Sequence, residues 1–233
     1  MPFFRLDRII ADSGRASRSE AVALIKRGCV TVDGETVRSN AQKYNPDESC
    51  VAINGEVIES RRFRYIMMNK PQGYVSATQD RHEKTVPELL DDKYARFKLF
   101  PAGRLDKDAE GFLLLTNDGE FAHKIMSQKT KKRYYVEIDG TVSEEDIEAF
   151  AQGLELRDGT KCLPAILEPA PGGAYVTLNE GKYHQVKRMM AARGKPVKYL
   201  KRVAIGELEL DKNLKPGEYL ELRDEIDALF WKK

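Results

Sequence analysis

Along the first sixty positions the hydrophobic spacing changes once. Leu6, Ile9 and Ile10 recur at helical intervals, and Gly14 stands where such a helix would close. Ser17 and Glu20 have the spacing of a capping box, which opens a second helix whose stripe is Ala21, Leu24 and Ile25 and whose end is Gly28. The pattern then becomes short apolar runs. Residues 30–37 flank Asp33-Gly34, and Val51–Ile53 with Val57 and Ile58 flank Asn54-Gly55. Both dipeptides accept the positive backbone dihedrals of a two-residue hairpin turn. The expected unit is two short helices followed by a small sheet.

After the charged stretch 59–64, strand-like runs alternate with helical ones. Residues 65–68 and 74–77 read as strands around the turn Asn69-Lys70-Pro71-Gln72-Gly73. Pro87 suits the first turn of a short helix near 86–90. Residues 112–116 form a buried strand, followed by a helix at 121–126 and a strand at 134–138. Ser143 and Asp146 cap a further helix, and residues 165–168 and 174–178 flank a turn of Pro and Gly. A helix over 184–193, strands near Val197 and Ile205, a turn at Lys215 and a short terminal helix complete the chain. Such an order predicts an α+β fold: a small domain over 1–60, then a larger one over 61–233 built on a mixed, largely antiparallel sheet with flanking helices.

Composition narrows the function classes. No apolar run approaches the ~20 residues of a membrane span, and the N-terminal residues lack the apolar stretch of a secretory signal. Three scattered cysteines and three scattered histidines have no metal-ligand spacing, which argues for a reducing, cytoplasmic setting and against a zinc cluster or disulfides. The net charge is only +2, yet it is unevenly distributed. Residues 181–202 hold eight Lys or Arg and no acid, and residues 124–134 hold five and no acid. With the tyrosines interleaved among them, these runs suggest a phosphate-binding surface. The second predicted helix carries Arg18, Lys26 and Arg27, with Arg15 just before it, and suits a phosphate backbone as well.

The segment 101–119 places Arg104, Leu105 and Asp106 in a loop that opens into an apolar strand, a rigid platform for a reactive side chain. Asp106, Asp108 and Glu110 also imitate the start of a calcium loop. That reading fails because the twelfth position is Asn117 and leucines occupy ligand positions.

Two resemblances follow from these blocks. Phe4-Arg5-Leu6-Asp7, Ser17-Arg18-Ser19-Glu20-Ala21 and Val30-Thr31-Val32-Asp33-Gly34 resemble the S-four-like RNA-binding module. Gly103-Arg104-Leu105-Asp106, Gly111 and Thr116-Asn117-Asp118-Gly119 resemble the signature of ribosomal RNA pseudouridine synthases of the RsuA family. Asn69-Lys70-Pro71-Gln72-Gly73, Lys132-Arg133-Tyr134 and the block 181–189 follow in that family's order. Phe112 and Met190 depart slightly, standing where Leu and an aromatic are usual.

The resemblance implies that Asp106 is the catalytic carboxylate, supported by Leu105, and that Arg104 helps hold the target nucleotide out of its helix. It further implies that Tyr134 packs on the uracil and that Lys187, or else Arg188, pairs with the carboxylate. Lys70 borders the site and is grouped with Lys132, Lys182, His184 and Gln185 as an RNA contact. No metal and no cofactor is implied, since isomerising uridine neither oxidises nor hydrolyses anything. The implied partner is ribosomal RNA or a subunit assembly intermediate, met by a monomer in the cytoplasm. Tyr183-His184 points to one uridine in the 5′ domain of small-subunit (16S) RNA, because large-subunit branches carry Asn-Arg there. The alternatives are the same reaction on large-subunit (23S) RNA and a non-enzymatic assembly factor, which would have no reason to keep Asp106, Tyr134 and Lys187. A methyltransferase would need a glycine-rich cofactor loop that the sequence lacks.

Overall fold

A computed structural model describes residues 3–46, 48–59, 63–127, 130–222 and 226. The chain divides into two compact units: Met1–Arg64 with Asp91–Leu99, and Tyr65–Leu90 with Phe100–Lys233. The hydrophobic pattern draws the boundary after residue 60. Packing adds Asp91–Leu99 to the first unit, a segment of 3₁₀ helix (Asp92–Phe97) that the sequence reading passes over.

The first unit runs β1 (Phe4–Arg5), α1 (Leu6–Asp12), α2 (Arg18–Lys26), β2 (Val30–Val32), β3 (Glu35–Val37), β4 (Lys43–Tyr44), β5 (Val51–Ile53) and β6 (Glu56–Val57). Ser17 Oγ accepts from the Glu20 amide while the Glu20 carboxylate accepts from the Ser17 amide, so the expected capping box starts α2. Asp33 and Gly34 sit at φ 52° and 86°, and Asn54 and Gly55 at 51° and 82°, as the two hairpin turns require. The sheet order is β3-β2-β5-β6. Its core is one cluster in which Leu6, Ile9 and Ile10 of α1 meet Ala21 and Ile25 of α2 and Val30, Val32 and Val51 of the sheet. Helical and strand periods therefore bury their apolar residues against each other.

The larger unit contains β7 (Tyr65–Lys70), β8 (Phe100–Pro101), β9 (Glu110–Thr116), α3 (Gly119–Ser127), β10 (Lys132–Ile138), α4 (Glu144–Gln152), β11 (Ile166–Ala170), β12 (Gly173–Leu178), α5 (Gln185–Ala192), β13 (Val197–Ile205), β14 (Leu208–Glu209) and β15 (Tyr219–Leu222). Among the described residues they form one sheet of order β11-β12-β10-β13-β9-β7-β15, with β14 on β13 and β8 on β9. Every pairing is antiparallel except β13 with β9. β9 is apolar on both faces, and Phe112 to Leu115 are fully buried.

Three expectations change. Residues 74–77 form no strand; only Val75 bridges Thr85, so the Ser76 hydroxyl is left to bond Leu105 rather than to line a sheet. The strands expected separately near Val197 and Ile205 are one nine-residue strand, because β10 pairs along its whole length. The expected terminal helix lies outside the described residues, except for Ile226, which packs into the core beneath β7 and β9.

The parallel contact between β9 and β13 sets the position of the site. Arg202 lies opposite Gly111, where φ is 110° and a Cβ would come within 2.3 Å of the Arg202 carbonyl oxygen. Only glycine permits that approach. β13 thereby runs directly beneath the loop that precedes β9.

Candidate active site

That loop, 102–109, is held from below by two buried cations. Lys70, at the end of β7, is fully buried, and its Nζ donates to the carbonyls of Asp106 at 3.0 Å and Ala109 at 2.9 Å, and also to those of Pro71 and Lys107. Burial pulls the Lys70 amine down to about 8, against the opposing pull of the Asp106 and Asp108 carboxylates. Arg202 is 1% exposed; its Nε donates to the Phe112 carbonyl at 2.7 Å and its Nη1 to the Arg104 carbonyl at 3.0 Å. Its Nη2 has no hydrogen-bond partner, and among the described residues no carboxylate pairs with it. From the side, Ser76 Oγ donates to the Leu105 carbonyl and accepts from the Leu105 amide. These bonds fix residues 104–106 by their backbone and leave the side chains of Arg104 and Asp106 directed elsewhere.

Above the loop lies a cleft of about 390 Å³, within the range of small-ligand sites. Arg104, Leu105 and Asp106 form one wall, Lys132 and Tyr134 of β10 another, and residues 181–186 the rim. Leu178, Leu200 and Met126 add apolar surface. Asp106 is half-buried, and among the described residues the basic side chain that meets it is His184, with Nε2 3.7 Å from Oδ1. His184 precedes α5 in the left-handed region at φ 47°, a strained conformation for a residue with a side chain and one that clusters at functional sites. Its ring stacks on Tyr183 with centroids 3.9 Å apart. Gln185 supports this turn by accepting from the Lys182 amide and donating to Glu180.

The sequence reading and the geometry differ at three residues, Lys187, Arg188 and Lys70. Lys187 does not pair with Asp106: its Nζ lies 2.6 Å from both carboxylate oxygens of Asp108. That bond holds the Asp108 carboxyl below its ordinary range. Arg188, the fallback, pairs with Asp158. Lys70 is fully buried with its amine on backbone carbonyls, so it is no surface contact for RNA, whereas Gln185, though nearly buried, lines the cleft. Arg15 is tied to Glu56. Arg104, Leu105, Asp106, Lys132, Tyr134, Lys182 and His184 do line one cleft. Arg18, Lys26 and Arg27 are exposed in the other unit.

Lys132 is half-buried, with its Nζ on the Thr130 carbonyl; burial, then the nearby Arg202, lowers its pKa. Lys182 is paired with Glu180. Arg202 and Ser76 were missed as site residues. Arg202 had a signal, since it sits between Leu200 and Ala204 at the inward positions of a strand. Among the described residues no cluster of His, Cys, Asp and Glu could hold a metal.

A half-buried carboxylate beside a flat ring, on a loop clamped by buried cations, defines a site for acid–base or nucleophilic work on a planar ligand. Comparison with known proteins gives that class a family. Residues 64–192 match the RNA pseudouridylate synthase family and residues 4–50 match the S4 domain. The chain is 46% identical, over 95% of both chains, to the uncharacterized RNA pseudouridine synthase YtzG of Bacillus subtilis (strain 168). It is 43% identical to ribosomal small subunit pseudouridine synthase A of Escherichia coli (strain K12), over 95% of this chain and 97% of that one. A crystal structure of a pseudouridylate synthase superposes with a TM-score of 0.68 at 35% identity, covering 98% of this chain and all of the other. The chain belongs to the RNA pseudouridylate synthase family, with an S4 domain at its N-terminus, and is by class an isomerase.

Proposed function

We propose that the protein converts one uridine of ribosomal RNA to pseudouridine, in the 5′ domain of the small-subunit RNA, with Asp106 as the catalytic carboxylate. Asp106 supports this best: its carboxylate stands half-buried at a cleft wall shared with Tyr134 and Arg104. The reaction breaks the bond from ribose to a base nitrogen, turns the uracil and rejoins it through carbon. A carboxylate serves it either by attacking the anomeric carbon or by removing the adjacent ribose proton. Both routes need the ionised form. With Lys187 engaged elsewhere, the His184 ring stands beside the carboxylate and the buried Lys70 amine lies beneath its loop.

Tyr134 offers a flat face to a base taken out of its stack, offsetting part of a cost of a few kcal/mol. Arg104, exposed at the rim, takes the space the base leaves. Relatives named ribosomal small subunit pseudouridine synthase A, in E. coli and in Vibrio cholerae, favour small-subunit RNA as the substrate, and the S4 domain would grip it. The same reading has the chain acting as a monomer in the cytoplasm, on free RNA or an assembly intermediate. No helix among the described residues is long and apolar enough to cross a membrane.

Asp106→Asn is expected to lower turnover by roughly a thousandfold or more while changing RNA affinity by about twofold at most. Pseudouridine mapping in cells that carry only this variant should find one small-subunit position unmodified. Retained modification there would remove Asp106 from the chemistry, and a loss confined to large-subunit RNA would move the target.

A further inference from the structure

Beside the cleft, and sharing Tyr183 with it, is a second recess of about 430 Å³ walled by Leu156, Arg157, Ala191 and Ala192. Tyr183 is 72% exposed although its ring lies flat on His184 at an interplanar angle of 17°. One face of the ring is therefore covered by an imidazole that touches Asp106, and the other is open. An exposed aromatic face of this kind is available to stack on a flat ligand.

The recess is firmly built. Leu156 donates its amide to the Thr160 carbonyl, closing a tight turn. Arg188 ties that turn to α5 through Asp158 and Thr160, and donates to the Tyr183 carbonyl. Arg188 thus holds the walls in place. Arg157 is different: it is exposed and, among the described residues, has no ion-pair partner. Apolar walls, an open ring and an unpaired guanidinium at the edge make a receptor for a base with its phosphate.

We propose that this recess receives the unpaired nucleotide next to the target uridine, stacked on the free face of Tyr183 with its phosphate on Arg157. The occupant is RNA rather than peptide because Tyr183 lines both recesses, which puts the second within reach of a nucleotide adjoining the one in the first. This rests on reading the cleft as the uridine site. Stacking accepts any base, so the recess recognises an unpaired neighbour rather than a particular letter. It would thereby favour a target in a loop or bulge over one in a duplex.

The test uses the whole protein and synthetic RNA carrying the target uridine, with an abasic ribose placed at one neighbour and then the other. For the wild type, one of the two abasic RNAs is expected to lower kcat/KM about tenfold, the order of one base–aromatic stack. Tyr183→Ala should cost a similar factor on intact RNA and little more on the abasic one, and Tyr183→Phe should restore the discrimination. Arg157→Gln should make binding less salt-dependent by about 0.7 in the log–log slope, the contribution of one charge on a single strand. Equal wild-type turnover of intact and abasic RNAs would overturn the proposal. So would independent losses from the abasic site and Tyr183→Ala. No wild-type turnover of intact RNA would remove the uridine-site reading, and this one with it.

Discussion

The two units use their positive charge differently. In the S4 unit Arg18, Lys26 and Arg27 of α2 and its end are exposed, and among the described residues they form no ion pair. In the catalytic unit the acid-free run from Lys182 to Arg202 has the richer sequence but little free charge. Lys182 pairs with Glu180, Lys187 with Asp108, Arg188 with Asp158, Arg193 and Lys195 with Asp146, Lys198 with Asp139 and Lys201 with Glu110. Arg202 is buried on carbonyls. Folding brings acids from distant segments onto every other cation of the run except Lys182, whose Glu180 lies two residues away. A basic stretch in sequence is therefore not a basic surface. On α2 of one unit the cations are left free, whereas in this run of the other they hold α5, β13 and the catalytic loop in register.

The largest effect expected from this division is on binding. Replacing Arg18, Lys26 and Arg27 together by Gln should weaken affinity for ribosomal RNA by about ten- to a hundredfold, and flatten its salt dependence by about two in the log–log slope. Lys198→Gln, which removes one charge from the catalytic unit, should leave the slope unchanged. Filter binding across a salt series would reveal the difference; equal slopes would erase the contrast between the units.

Next in size is a stability effect in the catalytic unit. Asp146 is buried, and although burial alone would raise its pKa, bonds from Lys195, the Ser143 amide and Arg193 hold it well below the usual carboxylate range. Its folded value lies below its unfolded one, so its contribution is present above about pH 4 and is lost as pH falls further. Asp146→Asn should cost about 2 kcal/mol in urea unfolding at neutral pH while leaving RNA affinity intact. A loss of affinity without loss of stability would mean that this charge network faces the RNA after all.

What the sequence makes legible follows the range of the forces involved. Capping boxes at Ser17 and Ser143 and the Asp33-Gly34 and Asn54-Gly55 turns are settled within a few residues, and they stand as the local pattern predicts. The cleft-lining set of Arg104, Leu105, Asp106 and Tyr134 was legible because its motifs are contiguous. Lys187 and Arg188 were misassigned because their partners lie far along the chain, Asp108 at a separation of 79 residues. Adjacency in a motif does not decide which of two nearby carboxylates a lysine reaches. Arg202 went unrecognised because an arginine within a basic run looks like surface, and only the alternation of β13 turns it inward.

The smallest effect separates the field at Asp106 from the bonds that hold its loop. Lys70 titrates at about 8, so between pH 7 and 9 its Nζ passes from three donors and a charge to two donors and none. A neutral amine no longer places a positive charge beneath the Asp106 loop, and kcat should fall several-fold over that interval with RNA affinity nearly constant. Unfolding cannot imitate this. The folded value lies below the ordinary 10.5, so between about 8 and 10.5 the unfolded chain binds the extra proton and Lys70 contributes more to stability as pH rises. Activity and this residue's share of stability thus move in opposite directions across one window. A kcat that stays level to pH 9 would show that Lys70 serves the loop by its hydrogen bonds alone.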